Sequence, residues 1–420
     1  MIGLRVGMPA AAAVLCAVAA LAEPLPSAAP EEVGLSGARL AQIGEVMGAG
    51  IEAGEIPGAV VLVVRHGRVA YYEAFGWRDR ASGAPMARDA IFRIYSMTKP
   101  LVSVGAMMLH EQARLYPSEP LAKYVPAFET MAVGVESFDP VTGRQGFHTE
   151  PARRAITIHD LLRHTSGLTY GFFGTSRVKD MIKEAGLDAF TLDMDLAEFS
   201  DRLAALPLAY QPGEVWDYSL SADVLGRVVE VASGLPLDQY LRERLFAPLG
   251  MVDTDFWVPP AKQDRIAEAQ AGDPADGLID VTRAPKMFAG GHGLVSTAMD
   301  YARFCQMMLA RGSLEGTRIL GRKTVEYMTS DHLGDISRAG TAYLPGPGYG
   351  FGLGFAVRTA AGESPWPGSV GEFFWGGYAG TYFWIDPAEQ LVVVYMMQSV
   401  AQRQHYRMLL RNLVTQAIVD

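Results

Sequence analysis

Ile91 to Pro100, Ile-Phe-Arg-Ile-Tyr-Ser-Met-Thr-Lys-Pro, is where a short apolar run turns into a helix, and the rest of the chain is placed around it. Ser96 and Lys99 stand three residues apart, a spacing that puts both on one helix face. A serine hydroxyl attacks well only when a neighbouring base takes its proton. A lysine serves as that base when apolar surroundings or a nearby cation favour its neutral form, and Phe92, Ile94, Tyr95 and Met97 supply apolar surroundings. Pro100 places the helix start at about Ser96, because proline is accommodated in a first turn, where the N–H has no intrahelical partner. The free N–H groups and positive end of that helix then lie beside the hydroxyl, as stabilisation of an oxyanion requires. The same serine would equally serve as a plain helix cap, so its chemistry rests on its partners. Ser176 and Lys179 repeat the spacing among Gly171, Phe172, Gly174, Arg177 and Asp180, with no strand before them. That setting predicts a solvated surface segment.

Toward the N-terminus, Gly58 to Arg65 and Arg68 to Phe75 are strand-like runs around His66-Gly67, a hairpin signature. Before them Leu40, Ile43, Met47 and Ile51 mark an amphipathic helix with Ser36 as its cap. Beyond Pro100 the pattern turns helical: Leu101 to Leu115, a Thr157 capping box opening Leu161 to Thr165, Asp195 to Leu208, and Ser219 to Ala232 stopped by Gly234. The stretches 138–154 and 169–196 read as long loops. Strand signals return at Tyr349 to Val357, Phe373 to Trp375, Thr381 to Ile385 and Leu391 to Met397, and Ala298 to Leu309 and Arg403 to Ile418 read as helices. The pattern predicts an α/β (α+β) fold in two parts. Residues 23–97 and 285–420 share a central antiparallel sheet flanked by helices, residues 98–284 form a mostly helical domain, and the site lies between them.

The chain has 420 residues, 49% of them hydrophobic and 20% charged, which is the balance of a globular protein with a large core. A net charge of -10 without a basic run argues against nucleic acid as a partner. Arg5, the Ala-, Val- and Leu-rich run from Met8 to Ala20, and Ala20-Leu21-Ala22 read as a signal peptide over residues 1–22. Its removal would leave no membrane anchor, and Cys305 would be the one cysteine of a protein exported to the periplasm.

Two further motifs carry chemistry. Tyr210-Gln211-Pro212-Gly213 makes a tight turn before Trp216-Asp217-Tyr218-Ser219. There it aims the Tyr218 phenol into a cleft, where a nearby ammonium lowers a phenol's pKa from about 10. Trp375-Gly376-Gly377-Tyr378 puts glycines in a strand, as where a ligand approaches the backbone. The Tyr378 N–H with that of Ser96 would form an oxyanion hole. Each motif also has a plain packing explanation.

In order along the chain, Ser96-x-x-Lys99, Leu161-Leu162-Arg163-His164-Thr165-Ser166-Gly167-Leu168, Tyr218-Ser219, Gly290 to Ser296 and Trp375-Gly376-Gly377 resemble the serine β-lactamase and penicillin-binding superfamily. The pattern is most similar to family VIII carboxylesterases, near class C β-lactamases, from about Glu31 to the C-terminus. The resemblance implies a β-lactamase-like fold, an acyl-serine intermediate, Ser96 as nucleophile, Lys99 as base and Tyr218 as proton relay. It leaves open which of the last two takes the serine's proton. Leu220 stands where those enzymes carry an amide-binding Asn, and Trp375-Gly376-Gly377 where they carry Lys-Thr-Gly. Losing that hydrogen bond and cation costs an anionic amide on the order of several kcal/mol. An uncharged ester needs neither.

The expected substrate is thus a small-molecule ester of short to medium acyl length, contacted by Leu220, Trp375, Gly376 and Gly377, with weak β-lactam turnover. Competing readings are a β-lactamase or D-amino-acid peptidase, an acyltransferase, and a non-catalytic penicillin-binding-like scaffold. No serine has the Gly-x-Ser-x-Gly setting of an α/β-hydrolase, and His164 and His292 read as structural. No cofactor or metal is expected. Trp366-Pro367-Gly368 lacks a strand after it and is discounted.

Overall fold

Alternation along Gly58–Arg65 decides the layering. All eight of its residues are buried. Val60, Leu62 and Val64 enter one core with Phe92 and Leu101, while Ala59, Val61 and Val63 enter a second with Leu40, Ile43, Met47, Leu410 and Val414. A strand apolar on both faces needs cover on both. The helices Gly37–Glu52 and Arg403–Thr415 supply one layer, and Ala298–Leu309 and the serine's helix the other. This computed structural model describes residues 24–420 apart from 139, 275–277, 339, 341 and 342. The expected signal peptide over residues 1–22, with Cys16, lies outside the described residues.

Gly58–Arg65 pairs antiparallel with Arg68–Asp79 on one side and with Leu391–Met397 on the other, so the two ends of the chain share one sheet. His66 and Gly67, at φ 51° and 74°, form the tight turn whose twist suits a hairpin. The eight strands run, edge to edge, Tyr349–Phe351, Ala356–Arg358, Phe373–Gly376, Tyr382–Asp386, Leu391–Met397, Gly58–Arg65, Arg68–Asp79 and Ala84–Pro85. Tyr349 to Val357, read as one run, is two strands. The chain folds back at Gly354, which sits at φ 94° and whose Cβ would come 2.6 Å from Ser103 Oγ.

The segment that interrupts the sheet is built on the helix Thr98–Glu111, buried from Thr98 to Leu109 and packed against Ser221–Ser233. It ends before the expected Leu115, because Ala113 turns to φ 56°. The Thr157 capping box is present, but the helix it opens is Ile158–Leu162. Two expected loops contain structure. Ala132–Phe138 and Gln145–Pro151 pair as an exposed hairpin whose polar outer strand hides the usual alternation. Within 169–196 lies the helix Arg177–Glu184, whose N-cap is Ser176. Lys179 on it is 1% exposed, so the solvated reading of that pair is wrong; Val178, Lys179 and Ile182 form the buried face.

Candidate active site

The turn that carries Ser96 is held from three sides. Phe92–Arg93 pairs with Val295–Ser296, and Ile94 N–H donates to Leu294 O at 3.0 Å. Tyr301 OH donates to Met97 O at 2.9 Å, and Leu294 N–H to Thr98 Oγ1 at 3.1 Å. Tyr95 is forced to φ 43°, a left-handed conformation costly for an aromatic residue and typical of functional turns. A short 3-10 turn, Tyr95–Met97, then leads into the α-helix at Thr98, so Ser96 sits half-buried at its mouth.

Lys99 is 2% exposed and its Nζ has three neutral oxygens around it: Gly291 O at 2.8 Å, Tyr170 OH at 3.1 Å and Ser96 Oγ at 3.3 Å. It also lies 4.5 Å from the centre of the Tyr218 ring. The Gly291 carbonyl is fixed from behind, because Gly291 N–H donates to Asp223 Oδ1 at 2.8 Å. Tyr170 was not singled out from the sequence. It follows the Leu161 to Leu168 motif by two residues, the one signal that could have found it. Burial, then the Asp223 charge, push its phenol well above the ordinary value, so Tyr170 stays protonated.

Tyr218 is stacked on Trp216, and its oxygen accepts from Trp375 Nε1 at 3.1 Å. Tyr218 and Ser96 face the same cavity. His164 is packed against the Tyr218 ring with Nδ1 3.0 Å from Ser219 Oγ. His292 Nε2 donates to Phe190 O at 3.0 Å. Burial lowers the pKa of both rings, and both are occupied away from Ser96.

The cavity holds about 420 Å³ and its walls are largely aromatic, with Tyr170, Phe172, Phe173, Phe190, Phe374, Trp375 and Tyr378 among them. Trp366, discounted from sequence, is also in the wall. Trp375, Gly376 and Gly377 line it too, whereas Leu220 is buried at the cap of Ser221–Ser233 and is not part of that lining. The glycines have a packing reason as well. A Cβ on Gly377 would lie 2.4 Å from Ile94 O and 2.2 Å from Thr381 Oγ1, and one on Gly376 2.9 Å from Arg407 Cζ. Gly377 therefore lets its turn press against the serine's own, which sets the Tyr378 ring edge-on to Tyr95 at 5.6 Å. Strand pairing stops at Gly376, so Gly377, expected inside a strand, belongs with Tyr378 to the turn that follows.

The final helix brings cations that the sequence did not announce. Arg407 Nη2 donates to Gly377 O and, at 2.9 Å, to Thr381 O, while Arg403 Nη1 donates to Tyr378 O at 2.9 Å. Three carbonyls of the turn are thereby held by arginines. Burial pulls the Arg407 pKa down to about 10. The i, i+4 spacing of Arg403 and Arg407 was visible in sequence, but a solvated helix face shows the same spacing. Among the described residues no group of His, Cys, Asp and Glu is arranged to hold a metal.

The sequence model of the beta-lactamase family matches residues 43–415. Protein Rv1367c of Mycobacterium tuberculosis is 37% identical over 83% of this chain and 87% of its own length. Esterase EstB of Burkholderia gladioli is 39% identical over 47% of each chain. Among solved structures, EstCE1, a hydrolase with promiscuous acyltransferase activity, superposes with a TM-score of 0.73 at 28% identity, covering 90% of this chain and 97% of that one.

Proposed function

The chain belongs to the beta-lactamase family, and on that premise we propose that it is a serine carboxylesterase that cleaves small-molecule esters through an acyl-Ser96 intermediate. The observation that carries this reading is Lys99 Nζ 3.3 Å from Ser96 Oγ, held by neutral oxygens inside an aromatic cavity. The likeness to EstB and EstCE1 supports the ester class.

Ser96 gives its proton to the Lys99 and Tyr218 pair as Oγ attacks the ester carbonyl carbon. The oxyanion forms between the N–H groups of Ser96 and Tyr378, neither of which donates to a backbone carbonyl among the described residues. Collapse breaks the bond to the alcohol oxygen, which takes the proton. Water, deprotonated by the same pair, then releases the acid and restores Ser96. The largely aromatic wall suits short to medium acyl chains, and the absent Asn and Lys of the two β-lactamase motifs leave β-lactams as weak substrates. Residues 1–22 support export to the periplasm, and among the described residues no helix is long and apolar enough to cross a membrane.

The test is hydrolysis of p-nitrophenyl esters of graded length beside one cephalosporin, with intact-mass detection of an adduct on Ser96. Greater kcat/KM on butyrate than on the cephalosporin supports the proposal; the reverse order makes the protein a β-lactamase. Transfer to an alcohol in place of water is a second reading, favoured by the likeness to EstCE1, and a competing alcohol in the assay measures it.

A further inference from the structure

Lys179 has no part in the chemistry above, yet it is among the most completely buried cations in the described chain. It sits on the helix Arg177–Glu184, whose outer side carries an exposed Arg177–Glu184 ion pair. Its Nζ donates to Thr169 Oγ1 at 2.7 Å and lies 3.3 Å from Asp217 Oδ2. Thr169 Oγ1 donates to the same Asp217 oxygen at 2.5 Å. Thr169 immediately precedes Tyr170, and Asp217 immediately precedes Tyr218. Two hydrogen bonds from the ammonium and one between Thr169 and Asp217 thus join the two segments whose phenols flank Lys99, with ring centres 5.4 Å apart.

We propose that Lys179 is a positioning residue for the reaction at Ser96: it locks the Thr169-Tyr170 and Asp217-Tyr218 segments together and so sets both phenols against Lys99. This rests on the reading that Lys99 and Tyr218 handle the serine's proton. A buried ion pair is a poor way to gain stability, since apolar residues of the same volume commonly do as well. A lysine whose donors have fixed partners does something an apolar side chain cannot, because it admits one relative placement of two loops. Burial pulls the Lys179 pKa below the ordinary lysine value and the Asp217 carboxylate opposes that pull. Misplacing a proton-transfer group by about 1 Å lowers turnover by roughly 100-fold without requiring a change in substrate affinity.

The experiment uses the full-length enzyme and p-nitrophenyl butyrate. Lys179→Met alone would take the ammonium away from the Asp217 carboxylate, so the decisive variant is Lys179→Met with Asp217→Asn, in which both charges go together. Ser176→Ala, which removes the N-cap of the same helix, controls for mere loosening. The expected result is a folded double variant with kcat lowered about 10- to 100-fold and KM within about threefold, while Ser176→Ala melts earlier but keeps its kcat. A double variant with kcat within about twofold of the parent overturns the inference, and so does an equal loss of kcat in Ser176→Ala. Tyr218→Phe separates the two layers of argument. If it retains full kcat, the catalytic reading of Tyr218 fails and this inference with it. If it is inactive while the double variant is not, the positioning role alone fails.

Discussion

At the scale of single residues, the proposed chemistry asks Ser96 to give a proton and Lys99 to act as a base. Ser96→Ala should lower kcat by a factor on the order of 10⁴ or more and abolish the covalent adduct seen by mass spectrometry. Lys99→Arg is the sharper substitution, since it keeps the cation but cannot act as a base at any working pH. Activity should fall nearly as far as with Ser96→Ala; an arginine variant with substantial turnover would show that Lys99 contributes only charge. Ser96 and Lys99 were legible because their spacing is local, three residues apart on one turn. Tyr170 was not, because its one clue, a place two residues after the Leu161 to Leu168 motif, does not reveal that its oxygen lies 3.1 Å from Lys99. Lys179 was misread for a related reason: a polar neighbourhood in sequence predicts exposure, whereas its partners arrive from 10 and 38 residues away.

Elements matter next, above all the turn after Phe373–Gly376. It touches the serine's turn through a glycine and is gripped on its carbonyls by two arginines of the last helix. Gly377→Ala would push a methyl group into Ile94 O and Thr381 Oγ1. It should cost about 1–3 kcal/mol of stability by denaturant melt and lower kcat on p-nitrophenyl butyrate by at least about 10-fold through displacement of the Tyr378 N–H. The motif Trp375-Gly376-Gly377 was readable as a close approach, but its two explanations, ligand or packing, are indistinguishable until the opposing backbone is known. The strand and helix runs nearest the sheet centre were read almost to the residue, as with Leu391–Met397 and Ala298–Leu309. The strand has a core on each face, and the helix buries its apolar residues in one of the two. The exposed hairpin Ala132–Phe138 and Gln145–Pro151 escaped because solvated strands carry no such pattern.

For the whole molecule, one buried carboxylate should dominate a measurable part of the pH dependence of stability. Asp300, on the helix Ala298–Leu309, is 4% exposed, and burial raises its pKa to about 6 although Asp253 N–H and Thr254 Oγ1 both donate to it. The unfolded chain loses this proton near pH 4. Between about pH 4 and 6 the folded state therefore holds the extra proton and stability falls as pH rises, by on the order of 3 kcal/mol in full. Asp300→Asn keeps an acceptor and removes the charge, so it should raise Tm at pH 7 and leave it unchanged at pH 4; an equal shift at both would refute the assignment. A parallel lesson holds for the fold. The sequence by itself determined the sheet joined from both chain ends and the turn and helix that present Ser96 and Lys99 side by side. These depend on periodicity and spacing, which are local. Only the tertiary structure decided that Tyr170 meets Lys99, that Lys179 is buried, and that Leu220 stays out of the cavity while Trp366, Arg403 and Arg407 line it. Those outcomes depend on which distant segments come to share one low-dielectric space, where a polar group must find a partner or remain outside.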